Sequence, residues 1–315
     1  MEKKQQIIDL WRTCFGDPEA SIRLYFERVY KDENTMTLER EGRIVSALQI
    51  LPYSMTFEGD EIPVAYVSGV CTAPDDREKG YMRQLMRTAL VEMERRGFAI
   101  TALIPAESWL FDYYRQFGYT EVFTYSTIHY DLPEPSSLPS ISIIRPEEPE
   151  AEKLYAYFNR KLRERPACVL HTYRDYVTIL GDLYIAGGKV YVALNKEEQV
   201  VGMAFVLPME GKIGSEEKIL QIKEMLFDTE EVEATFIRAF KSNYKVTEIR
   251  GTIPGKQSPK GMARVLDTDR MVDIWLSRHP RRLSREELQG MEPAALTRLL
   301  MVDPRETAYM SLMLD

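Results

Sequence analysis

The chain has 315 residues, of which 44% are hydrophobic and 29% charged, so disordered and fibrous classes are excluded and two domains are expected. With 41 lysines and arginines against 49 aspartates and glutamates, the net charge is −8, which argues against a nucleic-acid partner and favours a neutral or cationic ligand. No apolar run approaches the roughly 18–20 residues that span a bilayer, so no membrane partner is expected. The three cysteines form neither a disulfide framework nor a CxxC knuckle, and we predict a cytoplasmic protein without a metal.

The first 131 residues alternate between helical and strand periods. Residues 3–30 carry apolar positions at helical spacing, interrupted by Gly-Asp-Pro at 16–18, which predicts two short helices. Residues 35–51 alternate in polarity around a Glu41-Gly42 turn, which predicts a β-hairpin. The pattern then predicts a strand over 63–72, a helix over 80–96, a strand over 98–104, a helix over 108–116 and a strand over 119–130.

Residues 132–149 are rich in proline and serine and predict a linker between two domains. Beyond the linker the pattern repeats at an offset of 156 positions, which aligns Val45 and Pro52 with Val201 and Pro208. The order of hairpin, strand, helix and strand recurs as well, which indicates a tandem duplication.

We therefore predict an α/β (α+β) fold with two tandem mixed sheets, over residues 1–131 and 150–260, each flanked by helices. Residues 261–315 predict a small C-terminal module that begins with a helix at about Met262. The module ends in an apolar segment, which we expect to be packed against the rest of the chain.

Residues 67–86 carry the most informative motif. A predicted strand passes through a short basic loop with one glycine, Gly80, directly into a long helix. Unpaired backbone N–H groups and the positive end of the helix dipole meet there, which suits a pyrophosphate. Arg77, Lys79 and Arg83 add positive charge, and the spacing fits neither the dinucleotide nor the Walker fingerprint. The competing interpretation is a basic helix start that faces solvent and binds nothing.

This loop resembles that of the GNAT superfamily of N-acetyltransferases, whose acyl-CoA pyrophosphate loop reads Arg/Gln-x-x-Gly-x-Gly/Ala. Arg77 and Gly80 stand at the first two positions, and Met82 departs from the small residue usual at the third. The resemblance covers residues 1–130 and implies acetyl-CoA as co-substrate. The residues assigned to acetyl-CoA binding are Val70, Thr72, Arg77, Lys79, Gly80, Tyr81 and Met82.

A second motif, Tyr-Arg-Gln-Phe-Gly-Tyr at 114–119, resembles the Tyr-x-x-Phe/Leu-Gly-Phe/Tyr signature at the end of the GNAT fold. In that family the first tyrosine sits beside the sulfur of CoA, which implies this position for Tyr114. A phenol of pKa about 10 can give a proton to the leaving thiolate, so Tyr114 suits the role of general acid. The competing interpretation is a core tyrosine on a helix rich in aromatic residues.

The tandem arrangement with a C-terminal module resembles the family of the mycobacterial enhanced intracellular survival (Eis) protein, an aminoglycoside-acetylating enzyme. In that family the terminal carboxylate of the chain is the general base, which implies this role for Asp315. The C-terminal module here is shorter than the sterol-carrier-like module of that family. In the second unit Glu233 and Phe236 align with Arg77 and Gly80, so we expect this unit to be inactive and to shape the substrate cleft.

These features predict an N-acetyltransferase in which a primary amine of a small, cationic, aminoglycoside- or polyamine-like substrate attacks directly. The alternative is a non-catalytic protein that binds acyl-CoA or another small ligand on the same scaffold. Cys71 is interpreted as a core thiol, and the scattered His129, His171 and His279 predict no metal site. The sequence leaves the oligomeric state open, a homo-oligomer included.

Overall fold

The computed structural model describes residues 2–131, 141–210, 218–280, 282–302 and 307–314. Half of the predicted linker therefore lies outside the described residues, and so does Asp315.

Within the described ranges, one mixed sheet of twelve strands is flanked by ten α-helices, and the predicted α/β class is confirmed. The strands are β1 (Thr35–Arg40), β2 (Arg43–Phe57), β3 (Asp60–Thr72), β4 (Ile100–Leu103), β5 (Thr120–His129), β6 (Ser142–Ile144), β7 (Val169–Leu170), β8 (Lys189–Leu194), β9 (Val200–Glu210), β10 (Lys218–Phe227), β11 (Glu248–Pro254) and β12 (Ser258–Val265). The helices are α1 (Lys3–Phe15), α2 (Glu19–Arg28), α3 (Tyr81–Arg95), α4 (Ser108–Arg115), α5 (Glu152–Arg163), α6 (Tyr173–Ile185), α7 (Glu230–Asn243), α8 (Thr268–Arg278), α9 (Arg285–Gln289) and α10 (Pro293–Met301).

The order of elements in the first unit agrees with the sequence. The β1–β2 hairpin is followed by β3, α3, β4, α4 and β5, as the change between helical and strand periods predicted. The second unit repeats this order with the β8–β9 hairpin, β10, α7 and β11. Each half therefore contains the same succession of elements, in line with the expected duplication.

The two halves share strands. The order across the sheet is β1-β2-β3-β4-β12-β5-β11-β10-β9-β8-β6, and β7 pairs with β2. Strand β12 of the second half lies between β4 and β5 of the first half and is antiparallel to both. The sequence predicted two sheets, but the structure has one. Because strands of the two halves pair with each other, neither half has an open sheet edge at their junction.

The predicted helix at about Met262 is wrong. Met262 and Ala263 are fully buried residues of β12, and the next helix, α8, begins only at Thr268. A short buried apolar segment is compatible with a helix or a strand from its sequence alone. Here its pairing with β4 and β5 makes it a strand. The predicted division between 260 and 261 falls inside this strand.

The last described residues are packed between the two halves, as the apolar end predicted. Ala308 forms a parallel bridge with Phe123 of β5, and Tyr309 forms one with Cys168, next to β7. The N–H of Val169 donates to the carbonyl of Tyr309 at 3.2 Å. The tail therefore joins a strand of the first half to a segment of the second.

A buried ion pair lies at the same junction. Arg165 donates to both carboxylate oxygens of Glu224, at 3.0 and 2.9 Å, and the Ser311 hydroxyl donates to the same carboxylate. The side chain of Glu224 is 1% exposed. Removing one partner of such a pair leaves the other charge buried without compensation.

We expect Glu224→Gln to lower the free energy of unfolding by about 3 kcal/mol, because Arg165 loses its counter-charge in a dry environment. Urea denaturation measures the loss, and Glu197→Gln in the exposed turn between β8 and β9 is the control that should change little. Equal stabilities of the two variants would contradict a role of this pair in holding the junction.

Candidate active site

Strands β3 and β4 part from each other partway along the sheet. Their parallel pairing covers three residue pairs and ends where Tyr66 lies opposite Ala102. Strand β4 stops at Leu103, while β3 continues to Thr72 beside β2. Beyond Tyr66, no strand of the described ranges pairs with the other side of β3. The gap gives a ligand access to the backbone of β3 between two elements of the core.

A β-bulge follows at the start of this gap. Gly69 and Val70 lie opposite the single residue Leu48 of β2. Gly69 has a φ of +60°, and a Cβ there would lie 2.3 Å from Cζ3 of Trp11. Only glycine fits this conformation and this close approach, so the ring of Trp11 and the glycine together fix the course of β3 into the gap.

The predicted anion loop leads from β3 into α3. Gly80 precedes the helix with a φ of +80°, and no atom lies within 4 Å of the position that its Cβ would occupy. The first N–H groups of a helix have no acceptor within it, so those of Tyr81 and Met82 are available to a ligand. The turn therefore presents backbone donors at a place without a covering side chain, which suits a pyrophosphate.

The basic residues of the loop are not equally available. Lys79 donates to Asp76 at 2.9 Å, and Arg43 donates to the same carboxylate at 2.6 Å. These hydrogen bonds, that of Lys79 first, hold the pKa of the Asp76 carboxyl below its usual range. Nε of Arg77 donates to the carbonyl of Thr72 at 3.3 Å. Asp76 thus stabilises the turn through its two hydrogen bonds. Arg77 donates to Thr72 through Nε, so the other donors of its guanidinium are available to an anion.

Tyr114 lies in the apolar cluster beside this loop. The cluster includes its buried ring and the partly buried Val70, Tyr81 and Met82. Burial raises the pKa of Tyr114 well above its usual value, so the phenol is protonated at neutral pH. Of the predicted residues, the structure thus brings together both ends of the loop and Tyr114, whereas Asp315 lies outside the described ranges.

The corresponding place in the second half differs in charge. Helix α7 begins with three acidic residues in its first turn, Glu230, Glu231 and Glu233. Phe236, at the position equivalent to Gly80, is fully buried. Carboxylates at a helix start compete with an anionic ligand for its N–H groups, so the start of α7 is less favourable for a pyrophosphate than the start of α3.

Sequence reasoning missed two polar side chains on the opposite face of the sheet. Gln49 of β2 is 1% exposed, and neither its amide nitrogen nor its amide oxygen has a hydrogen-bond partner. His171 is buried as well, with Nε2 2.6 Å from the carbonyl oxygen of Ser311 and no partner at Nδ1. For Gln49 the sequence offered one signal, a glutamine inside the apolar run of residues 44–51. For His171 it offered none, because the residue that contacts it, Ser311, lies 140 positions away in the chain.

The protonation of His171 follows from its contact. A carbonyl oxygen only accepts, so Nε2 carries the proton and Nδ1 keeps a free lone pair in the neutral ring. Burial lowers the pKa of His171, which favours this neutral form. A sequence with three scattered histidines gave no reason to single it out.

Two thiols meet near the loop. Cys71 is buried, as interpreted from its apolar strand, while Cys14 at the end of α1 is half-buried and contacts the carbonyl of Thr72 at 3.3 Å. The thiol of Cys71 and then Arg77 stabilise the Cys14 thiolate and lower the pKa of Cys14 to about 6. Burial and the neighbouring Cys14 raise the pKa of Cys71.

The chain's first 122 residues match the family model described as acetyltransferase (GNAT) domain. Over these residues the chain is similar to a GNAT acetyltransferase domain. The predicted enzyme class, an acyltransferase, is confirmed by this match. GNAT acetyltransferases use acetyl-CoA. No curated protein sequence matched the chain.

Several solved structures share the fold over most of the chain. A probable N-acyltransferase from Enterococcus faecalis V583 has 18% identity and a TM-score of 0.71, covering 87% of this chain and 73% of its own. A GCN5-related N-acetyltransferase from Anabaena variabilis has 17% identity and a TM-score of 0.69, covering 86% and 72%. Eis1 from Mycobacterium abscessus has 14% identity and a TM-score of 0.65, covering 86% and 73%. At these identities the likeness establishes the fold alone.

Two further findings concern membranes and metals. Over the residues that the structure describes, no helix is long and apolar enough to cross a membrane. In the same ranges, no three His, Cys, Asp or Glu side chains lie close enough together to hold a metal ion.

We expect iodoacetamide to modify Cys14 of the native protein with a rate that rises between about pH 5 and 7 and then levels off. The thiolate is the reactive form, and the pKa of Cys14 is lowered to about 6, against about 8.5 for an ordinary cysteine. Mass spectrometry of quenched samples gives the rate, and Cys14→Ser should remove this fast reaction because Cys71 is buried. A midpoint above pH 8 would contradict the stabilisation of the thiolate.

Proposed function

We propose that the protein transfers an acetyl group from acetyl-CoA to a primary amine of a small, cationic molecule, of the aminoglycoside or polyamine class. The observation that carries this proposal is the parting of β3 and β4 after Tyr66, upstream of the Gly80 turn, with Tyr114 in the apolar cluster that includes Tyr81 and Met82. The net charge of −8 favours a cationic acceptor. The likeness to Eis1 from Mycobacterium abscessus supports the tandem arrangement in this role.

The residues of the loop fit the pyrophosphate of acetyl-CoA. The N–H groups at Gly80, Tyr81 and Met82 are suited to bind its oxygens, and Arg77 supplies the nearest uncommitted positive charge, while Lys79 is paired with Asp76. When bound, acetyl-CoA supplies an activated acetyl thioester. Backbone N–H groups of the segment from Val70 to Thr72 would stabilise negative charge on the carbonyl oxygen of that group.

Tyr114 would act as the general acid. Its ring lies in the cluster that lines the loop, and its raised pKa keeps the proton on the phenol until a thiolate forms nearby. An unperturbed thiol and an unperturbed phenol hold their protons with comparable strength. The burial that raises the pKa of Tyr114 would also raise the pKa of a CoA thiol bound beside it, so the proton transfer to the leaving sulfur would have little energetic cost.

The amine must lose a proton, and the terminal carboxylate of Asp315 remains our candidate for the base. Its support is the tail that precedes it, in which residues 308–312 are buried and Ala308 and Met310 belong to the core cluster on the face of the sheet opposite α3. The second unit, with its acidic helix start, would not bind acetyl-CoA but would wall the acceptor cleft.

We expect Tyr114→Phe to lower kcat about 100-fold or more and to leave the affinity for acetyl-CoA within about twofold, because only proton transfer is lost. The release of free thiol, followed with a panel of amino sugars, polyamines and amino acids, gives kcat, and calorimetry gives the affinity. The control is Tyr113→Phe on the same helix, which is only half-buried and should retain activity. No thiol release by the wild-type protein with any amine would refute the proposed reaction.

A further inference from the structure

Gln49 is an anomaly in the core of the first unit. Its side chain is 1% exposed, and both atoms of its amide group lack hydrogen-bond partners. Nearly all buried polar groups in proteins are paired, because an unpaired one loses its hydration without replacement. An apolar residue at this position would stabilise the free protein, so the glutamine calls for a functional reason.

Its position on β2 places it at the reaction end of the sheet. Gln49 is the register partner of Ser68, the residue directly before the bulge at Gly69. Leu48 and Ile50, its neighbours in sequence, pack in the cluster with α3. Because side chains alternate along a strand, Gln49 faces the other side of the sheet, opposite the helix that carries the pyrophosphate loop.

A second polar pair lies beside it on that face. The hydroxyl of Tyr25, on α2, donates to Oγ of Ser68 at 3.2 Å. Both side chains are buried, and Ser68, which accepts from Tyr25, makes no hydrogen bond to the amide of Gln49. The unpaired amide of Gln49 thus lies beside the hydrogen-bonded hydroxyls of Tyr25 and Ser68, at the point where β3 enters the gap.

The second unit packs against α2, the helix beside this face. Leu24 of α2 lies 3.2 Å from the position that a Cβ of Gly181 on α6 would occupy, so the two helices are in close contact. Arg174 of α6 also donates to the carbonyl of Arg28 at 2.8 Å. Helix α2, whose Tyr25 contacts Ser68 beside Gln49, is therefore packed against the second unit.

We infer that Gln49 binds the acceptor amine and selects for a hydrogen-bonding oxygen beside it. The amide oxygen would accept from the amine N–H, and the amide nitrogen would donate to the neighbouring oxygen. One amide offers both functions in a fixed geometry, so the complementary ligand is a vicinal amino alcohol rather than a simple alkylamine. The inference rests on the proposed function for the reaction, but the binding it describes does not require turnover.

The test compares two amines that differ by one hydroxyl, trans-2-aminocyclohexanol and cyclohexylamine. NMR titration of the wild-type protein should show about tenfold tighter binding of the amino alcohol, because only that ligand satisfies both amide atoms. In Gln49→Leu the preference should fall to about unity, with the affinity for acetyl-CoA unchanged. The melting temperature of the free variant should rise by a few degrees, on the order of 1 to 4 °C, because an unpaired buried amide is removed.

The matched control is Gln221→Leu, since Gln221 is a partly buried glutamine of a strand whose amide is paired with Thr252 and Arg250. This variant should lower the melting temperature and leave the preference between the amines intact. Three results would overturn the inference: an unchanged preference in Gln49→Leu, a change in acetyl-CoA affinity instead, or no binding of either amine to the wild-type protein. Binding with the expected preference but no thiol release would refute the proposed reaction and leave the role of Gln49 standing.

Discussion

The parting of β3 from β4 after Tyr66 is the constraint on which the site depends. Strand β4 has only four residues, and β12 occupies its other side, so it cannot follow β3 to Thr72. The bulge at Gly69, held by the ring of Trp11, then directs β3 into the turn at Gly80. One gap in the hydrogen-bond ladder thus exposes the backbone of β3 and leads it to the unpaired N–H groups of α3.

The two units are physically dependent on each other. Strand β12 completes the first unit's sheet, and the tail bridges Phe123 of one half to Cys168 of the other. The second unit has acidic residues where the first has its basic loop, but it still supplies a strand and a buried ion pair. The first half therefore depends on the second for a strand of its own sheet.

Local signals in the sequence predicted local structure well. The loop from Arg77 to Gly80 and the start of α3 follow from turn chemistry and helical period, which act over a few residues. The insertion of β12 was not predictable in this way, because Met262 lies in an apolar run that suits a helix equally well and is decided by distant strands. Gln49 is distinguished by its lack of hydrogen-bond partners, and His171 by its contact with Ser311, 140 positions away in the chain. Neither property can be read from the pattern of residues around it.

The most direct test of the site is the affinity for CoA of two glycine variants at opposite ends of α3. Gly80→Glu and Gly97→Glu introduce the same residue at φ values of +80° and +76°, and neither position has an atom within 4 Å of the new Cβ. If the gap and the turn hold the pyrophosphate, calorimetry will show Gly80→Glu at least about 100-fold weaker than wild type and Gly97→Glu unchanged, because the new carboxylate faces the anion only at Gly80. Equal affinities of the two variants for CoA would contradict the account.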